Sequence, residues 1–105
     1  MPQFAVYRNR NAATRARFPL LLDVQSDLLE PLSTRVVIPL SPLSSARDVT
    51  MKHLAPILTI DGRQYVLLTP QLAGISTREL GPPIANLSAE RASILAALDL
   101  LITGI

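Results

Sequence analysis

Apolar and polar positions alternate from the start of the chain. Over residues 3–8, Phe4 and Val6 fall on one face of an extended segment and Gln3, Ala5 and Tyr7 on the other, which predicts a strand. Residues 9–14 are asparagine-containing and small, and predict a loop. Residues 18–24 predict a second strand, whose consecutive Leu20, Leu21 and Leu22 suggest burial on both faces. Residues 26–33 are turn-rich, and Pro31 keeps them out of a central strand. Residues 35–40 predict another strand, closed by Pro39 and Pro42. Residues 41–56 are hard to read beyond a helical turn near 47–54.

The clearest local signal follows. Residues 57–60 and 64–68 flank Asp61-Gly62, a two-residue turn in which both central residues take positive φ, so a hairpin is predicted. Arg63 either opens the second arm or sits in the loop. Residues 75–80 supply a further short strand. Over residues 88–102, Ile94, Leu95, Leu98, Leu101 and Ile102 recur at the three- and four-residue spacing of one buried helical stripe. Ser88 can cap the first turn, Glu90 complements its dipole, and Thr103 and Gly104 end the helix. The nine prolines all precede the helix, the last being Pro83. The pattern therefore predicts a mainly β domain with a C-terminal helix packed on it.

Composition narrows the class. A chain of 105 residues implies one domain over 1–105, and 49% hydrophobic against 17% charged residues implies a folded one. Without cysteine there is no disulfide or thiolate metal site, and a cytoplasmic setting is expected. Arg8, Arg10, Arg15 and Arg17 interrupt any signal-peptide run, and Asp99 breaks the longest apolar stretch, so no membrane contact is expected. Those four arginines all precede the first acidic residue, Asp23. They give a local positive field suited to an acidic partner or to phosphates, or simply a solvated loop. No tryptophan is present, which argues against a stacking platform for single strands, and no direct sequence-specific nucleic-acid binding is expected.

Catalytic chemistry finds few candidates. His53 is the sole histidine, with no cysteine to join it in a metal site. Asp23 and Asp27, four apart across a strand end and a turn, share no guaranteed face, and Asp27 equally suits turn stabilisation. The four scattered glycines form no phosphate loop. No cofactor is implied. The chain end is unusual: Asp99 puts a negative charge in the last helical turn, where the dipole prefers a cation, and the carboxylate of Ile105 follows. That arrangement suits a cationic partner group, with Ile102 and Ile105 adding apolar contact. It equally fits an ordinary glycine helix stop with a fraying tail.

Several runs carry a resemblance. Gln3-Phe4 with Val6-Tyr7, then Leu22-Asp23-Val24-Gln25-Ser26-Asp27-Leu28-Leu29, then Val37-Ile38-Pro39-Leu40, the central hairpin, the Leu87-Ser88 helix start and the terminal Gly104-Ile105 resemble the CcdB family of toxins from end to end. The resemblance implies an SH3-like, partly open antiparallel barrel (the CcdB/MazF-like fold) with a C-terminal helix, assembled as a two-fold homodimer. It implies binding to the A subunit of DNA gyrase, trapping the enzyme on cleaved DNA without catalysis by the toxin, and neutralisation by a cognate CcdA-like antitoxin with a disordered, acidic tail. By motif alignment the gyrase-contacting positions are Leu28, Leu29, Asp99, Ile102, Thr103, Gly104 and Ile105. The best-known members carry Trp where this chain has Thr103, which removes a typical hot-spot anchor. For the antitoxin, the expected contacts are Arg8, Arg10 and Arg15 of the first loop, with Arg47. Two other readings share the fold: a MazF/Kid-like endoribonuclease conscripting His53, Arg35 and Asp23, and an antitoxin-binding module without toxicity.

Overall fold

The computed structural model describes residues 2–46 and 53–104. The helical turn expected near 47–54 falls mostly outside them, as do Arg47 and Ile105. Seven strands are described: β1 (Ala5–Asn9), β2 (Leu20–Asp23), β3 (Thr34–Pro42), β4 (Ile57–Ile60), β5 (Arg63–Leu67), β6 (Ala73–Ser76) and β7 (Leu80–Asn86). A short helix α1 (Leu43–Ala46) follows β3, and the C-terminal helix is α2 (Arg91–Thr103). All strand pairs are antiparallel, in the order β4-β5-β3-β2-β1-β7 with β6 also on β3. The sheet curls into an open half-barrel.

The nine-residue β3 organises this sheet. One edge pairs with β2; along the other, Thr34 to Val37 pair with β6 and Leu40 to Pro42 with β5. The strand therefore runs through Pro39, where the sequence pattern predicted closure. The Pro39 carbonyl accepts from Leu68 N–H at 2.9 Å on the edge shared by β5 and β6. A residue's nitrogen points to the same edge as its carbonyl, so the missing N–H falls in the gap between the two partners and costs no ladder bond.

β7 was not foreseen, because Pro82 and Pro83 lie within it. It pairs only with β1, at the sheet edge, through a register that shifts twice, and there prolines are tolerated. The expected strand over 75–80 splits instead into the end of β6, a 3₁₀ turn (Thr77–Glu79) and the start of β7. The hairpin is as predicted. Asp61 and Gly62 take φ of 51° and 76°, and Arg63 opens the second arm opposite Ile60.

The sheet buries both faces. Phe4, Val6, Leu20, Leu22, Ile38 and Leu40 pack with Leu67 and Ile94 into the core beneath α2, while Ala5, Tyr7, Leu21, Val37 and Leu80 form a second cluster on the opposite face. Burying each Leu or Ile is worth about 1.5–3 kcal/mol. Ile94 and Ala97 are the fully buried residues of α2, with Leu95 and Leu98 partly covered. The predicted stripe does not continue: Leu101 is 37% exposed and Ile102 75%, because the last turn has nothing packed over it. Nor does Ser88 cap the helix. Residues Ser88–Glu90 form a 3₁₀ turn, Asn86 Oδ1 accepts from Ser88 N–H at 2.8 Å, and α2 starts without a side-chain cap.

A charged pair lies inside the second face. Arg35 Nε and Nη2 donate to Asp23 Oδ2 at 2.9 and 2.7 Å, with both side chains fully buried. Asp23 Oδ1 accepts from Gln25 N–H at 3.0 Å, and Arg35 Nη2 also donates to the Gln25 carbonyl at 3.3 Å. Burial pushes the Asp23 carboxyl above the usual carboxylate range, against the opposing pull of Arg35 and the Gln25 amide. Burial, aided by the Asp23 charge, likewise pushes the Tyr7 phenol up.

Arg35→Met strands a buried carboxylate and is expected to cost about 3–5 kcal/mol at neutral pH. Because the folded-state carboxyl then titrates even further above its unfolded value of about 3.9, protonation favours the folded form. The variant regains stability as pH falls and loses it as pH rises through the folded-state value. Urea denaturation at pH 7 and pH 4.5 reads this. A deficit that widens on acidification contradicts the assignment.

Candidate functional site

Two apolar projections and one basic loop stand out. The first projection is the 3₁₀ turn Asp27–Leu29, where Leu28 is 90% exposed and Leu29 49%. A side chain as apolar as leucine gains nothing from water at that exposure, so the backbone must hold it there. Ser26 Oγ accepts from Leu28 N–H at 3.2 Å as the turn's cap, and Asp27 Oδ1 accepts from Gln3 N–H at 2.7 Å.

The second projection is the end of α2. Ile102 stands out from the last turn, and Asp99, Thr103 and Gly104 are exposed beside it. Gly104 takes φ of 76°, and its N–H donates to the Leu100 carbonyl at 3.0 Å, the left-handed stop that glycine favours. Thr103 Oγ1 donates back to the Asp99 carbonyl at 2.6 Å, so its hydroxyl is spent within the helix. The Asp99 carboxylate adds charge to the negative end of the dipole. Ile105 lies outside the described residues.

Within the chain these projections do not merge. The turn 27–29 does not pack extensively on α2. Helix α2 begins beside Phe4, whose ring centre lies 5.6 Å from the Arg91 guanidinium, and twelve further residues carry its end about 18 Å away at ~1.5 Å per residue.

The basic loop is held in place, unlike a freely solvated segment. Arg8 on β1 and Arg10, Arg15 and Arg17 beyond it are all exposed. Beneath them the buried Asn9 donates to Thr14 Oγ1 and the Phe18 carbonyl at 3.0 and 2.9 Å, and accepts from Asn11 N–H at 2.9 Å. Arg10 N–H donates to the Glu79 carbonyl, the Asn11 amide to the Glu79 carboxylate, and Ser41 Oγ to the Arg17 carbonyl. The Arg17 guanidinium lies 5.0 Å from the Phe18 ring centre. Arg47, the fourth expected antitoxin contact, lies outside the described residues. The anchor role of Asn9 went unread because asparagine in a loop signals only a turn, such as its bond to Asn11, and the bonds to Thr14 and Phe18 depend on how the loop folds back.

The residues conscripted for nuclease chemistry are not gathered into a groove. Asp23 and Arg35 are locked to each other with no exposed side-chain surface, while His53 lies beside Ala92, Ser93 and Ala96 of α2 in a shallow depression. Asp27 is exposed and engaged by Gln3, so the two aspartates share no site. Among the described residues no cluster of histidine, aspartate or glutamate could hold a metal ion. No helix among them is long and apolar enough to cross a membrane.

A curled antiparallel half-barrel with a C-terminal helix defines a small mainly β protein of the SH3-like, partly open barrel class. The family model described as CcdB protein matches residues 3–104, and the chain belongs to the CcdB family, the toxins of toxin–antitoxin pairs.

Asn9→Ala removes three hydrogen bonds from a buried position and should cost about 1–3 kcal/mol. Amide exchange should quicken at Asn11 and over residues 14–18 while the central strands stay protected. Equal exchange rates in parent and variant would show that the loop is ordered by something else.

Proposed function

We propose that this protein acts by binding, as a homodimer that poisons DNA gyrase through its A subunit and is neutralised by a cognate antitoxin. The observation that carries the reading is the pairing of a fixed, solvent-facing Leu28 with an uncovered helix end bearing Ile102 and Asp99. Apolar side chains held out in water beside ordered polar groups are what an interface centre requires. The gyrase-facing set is Leu28, Leu29, Asp99, Ile102, Thr103, Gly104 and Ile105.

A two-fold dimer presents each projection twice, and gyrase A subunits are themselves paired, so one toxin dimer can engage both. The anionic end formed by Asp99 and the helix dipole suits a cationic group on the target. With the Thr103 hydroxyl proton given to the Asp99 carbonyl, position 103 offers a partner only its methyl and an accepting oxygen, and the anchoring role passes to Ile102. The antitoxin's acidic tail docks on Arg8, Arg10 and Arg15, together with Arg47. The rigid loop supports this, because a preformed cationic surface loses little entropy when a disordered chain lies on it.

Ending the chain at Ile102, or introducing Leu28→Asp, is expected to abolish killing and reduce binding to purified gyrase A subunit by at least about a hundredfold, the scale of a lost hot spot. The intact toxin should be harmless in a host whose gyrase carries a resistance substitution. Killing that persists in that host, with messenger RNA cleaved by purified protein, would instead establish a nuclease.

Arg10→Glu with Arg15→Glu should weaken antitoxin-peptide binding strongly and steepen its salt dependence less than in the parent, while leaving gyrase poisoning intact. Unchanged antitoxin affinity in calorimetry would remove the basic loop from that interface.

A further inference from the structure

The segment 26–33 leaves the sheet after β2 and returns to it in β3, carrying Leu28 at its crest. Loops of this kind ordinarily owe their shape to their own turn chemistry, and the Ser26 cap supplies some of it. Two further side chains act across the neck of the excursion.

From inside, the buried Gln25 side chain spans it completely. Gln25 Nε2 donates to the Leu29 carbonyl at 3.2 Å and to the Thr34 carbonyl at 3.3 Å, while Oε1 accepts from Val36 N–H at 3.1 Å. One amide, carried by the residue two beyond the end of β2, thus ties the far side of the turn to two residues of β3. Gln25 is in turn fixed by its own backbone: its N–H donates to Asp23 Oδ1, and its carbonyl accepts from Arg35 Nη2. From outside, Asp27 Oδ1 accepts from Gln3 N–H, and Gln3 Nε2 donates to the Val24 carbonyl at 3.1 Å.

We infer that Gln25 and Asp27 are positioning residues for target recognition, setting the Leu28 side chain at a fixed height before any partner arrives. Neither needs to touch the target. Their effect passes through the turn and therefore vanishes when Leu28 itself is removed. The inference rests on the proposed gyrase-facing role of Leu28 and deepens it. Preset geometry matters because Leu28, almost wholly solvated, would gain affinity only if no ordering cost remained to be met on docking.

The experiment is a double-mutant cycle on the full chain, reading the dissociation constant for purified gyrase A subunit well below each variant's melting temperature. Gln25→Met and Asp27→Ala should each weaken binding roughly tenfold in the parent but less than about twofold on a Leu28→Ala background. Asp27→Asn keeps an Oδ1 acceptor and should bind as the parent does. Amide exchange at Leu29 and Leu32 should quicken in both weakened variants.

Parent-like binding by Gln25→Met and Asp27→Ala, or full weakening by each on the Leu28→Ala background, overturns the positioning role while leaving the gyrase reading in place. If Leu28→Ala alone binds as tightly as the parent, the gyrase-facing assignment of this turn fails and the inference falls with it. Should Gln25→Met not fold, the exposed Asp27 decides the matter, tenfold weakening with asparagine rescue supporting the inference and parent-like binding overturning it.

Discussion

Asp23 and Arg35 are the constraint from which the sheet's geometry follows. They lie on the face opposite the helix, among Ala5, Tyr7, Leu21 and Val37, where the sheet curls over and excludes water. A buried ion pair contributes little net stability over a well-packed apolar pair, since desolvation offsets most of the attraction. Its value here is register. Side chains alternate faces with a period of two, so a one-residue slip between β2 and β3 would move one partner into the apolar core beneath α2. An unpaired charge there costs far more than any leucine could return. The observed pairing of Leu22 with Ile38 and Asp23 with Val37 is thus fixed by charge as well as by packing.

That register passes outward to the candidate site. Asp23 is the last residue of β2, and the Gln25 amide bonded to its carboxylate begins the excursion that carries Leu28. The same strand end accepts from Phe4 N–H at 2.6 Å, and the Phe4 carbonyl accepts from Leu87 N–H at 2.8 Å just before the last helix. Phe4 holds φ at 70°, a conformation costing of order 1–3 kcal/mol outside glycine. Its buried ring and these two hydrogen bonds hold it there. A single corner therefore aligns the start of β1 with the end of β2 and the entry to α2, the two elements that lead to the apolar projections.

Much of the fold was legible in the chain because it rests on local chemistry. The Asp61-Gly62 turn needs positive φ at two adjacent residues, and few dipeptides tolerate that. Leu20, Leu21 and Leu22 signalled a strand covered on both sides, and α2 covers one face while the sheet's own curl covers the other. What escaped reading depends on partners distant in sequence. Pro39 looked like a terminator until its nitrogen was seen to face the gap between β5 and β6. Pro82 and Pro83 argued against a strand, yet an edge strand with an irregular register accommodates them. The period of α2 promised a stripe to Ile102, but periodicity reports only which residues share a face and says nothing of how far the sheet beneath extends.

The candidate site was legible by a different route. Nothing in spacing or composition marked Leu28 and Leu29 as exposed; a Leu-Leu pair in a turn reads equally as a buried plug. The family motif singled them out, and the geometry then gives the physical reason they stay in water: a capped turn clamped by Gln3 and spanned by Gln25. At the chain end the order is reversed. Asp99 against the dipole was visible in the sequence, but the fate of Thr103 was not, because whether a threonine hydroxyl reaches outward or back to the carbonyl four residues earlier is decided by rotamer. Turned inward, it leaves a helix end that is apolar at Ile102 and anionic at Asp99, with no neutral donor between them. In the proposed binding role, such an end would favour a target that pairs a cation with an apolar pocket, and discriminate against one that offers only hydrogen-bond acceptors.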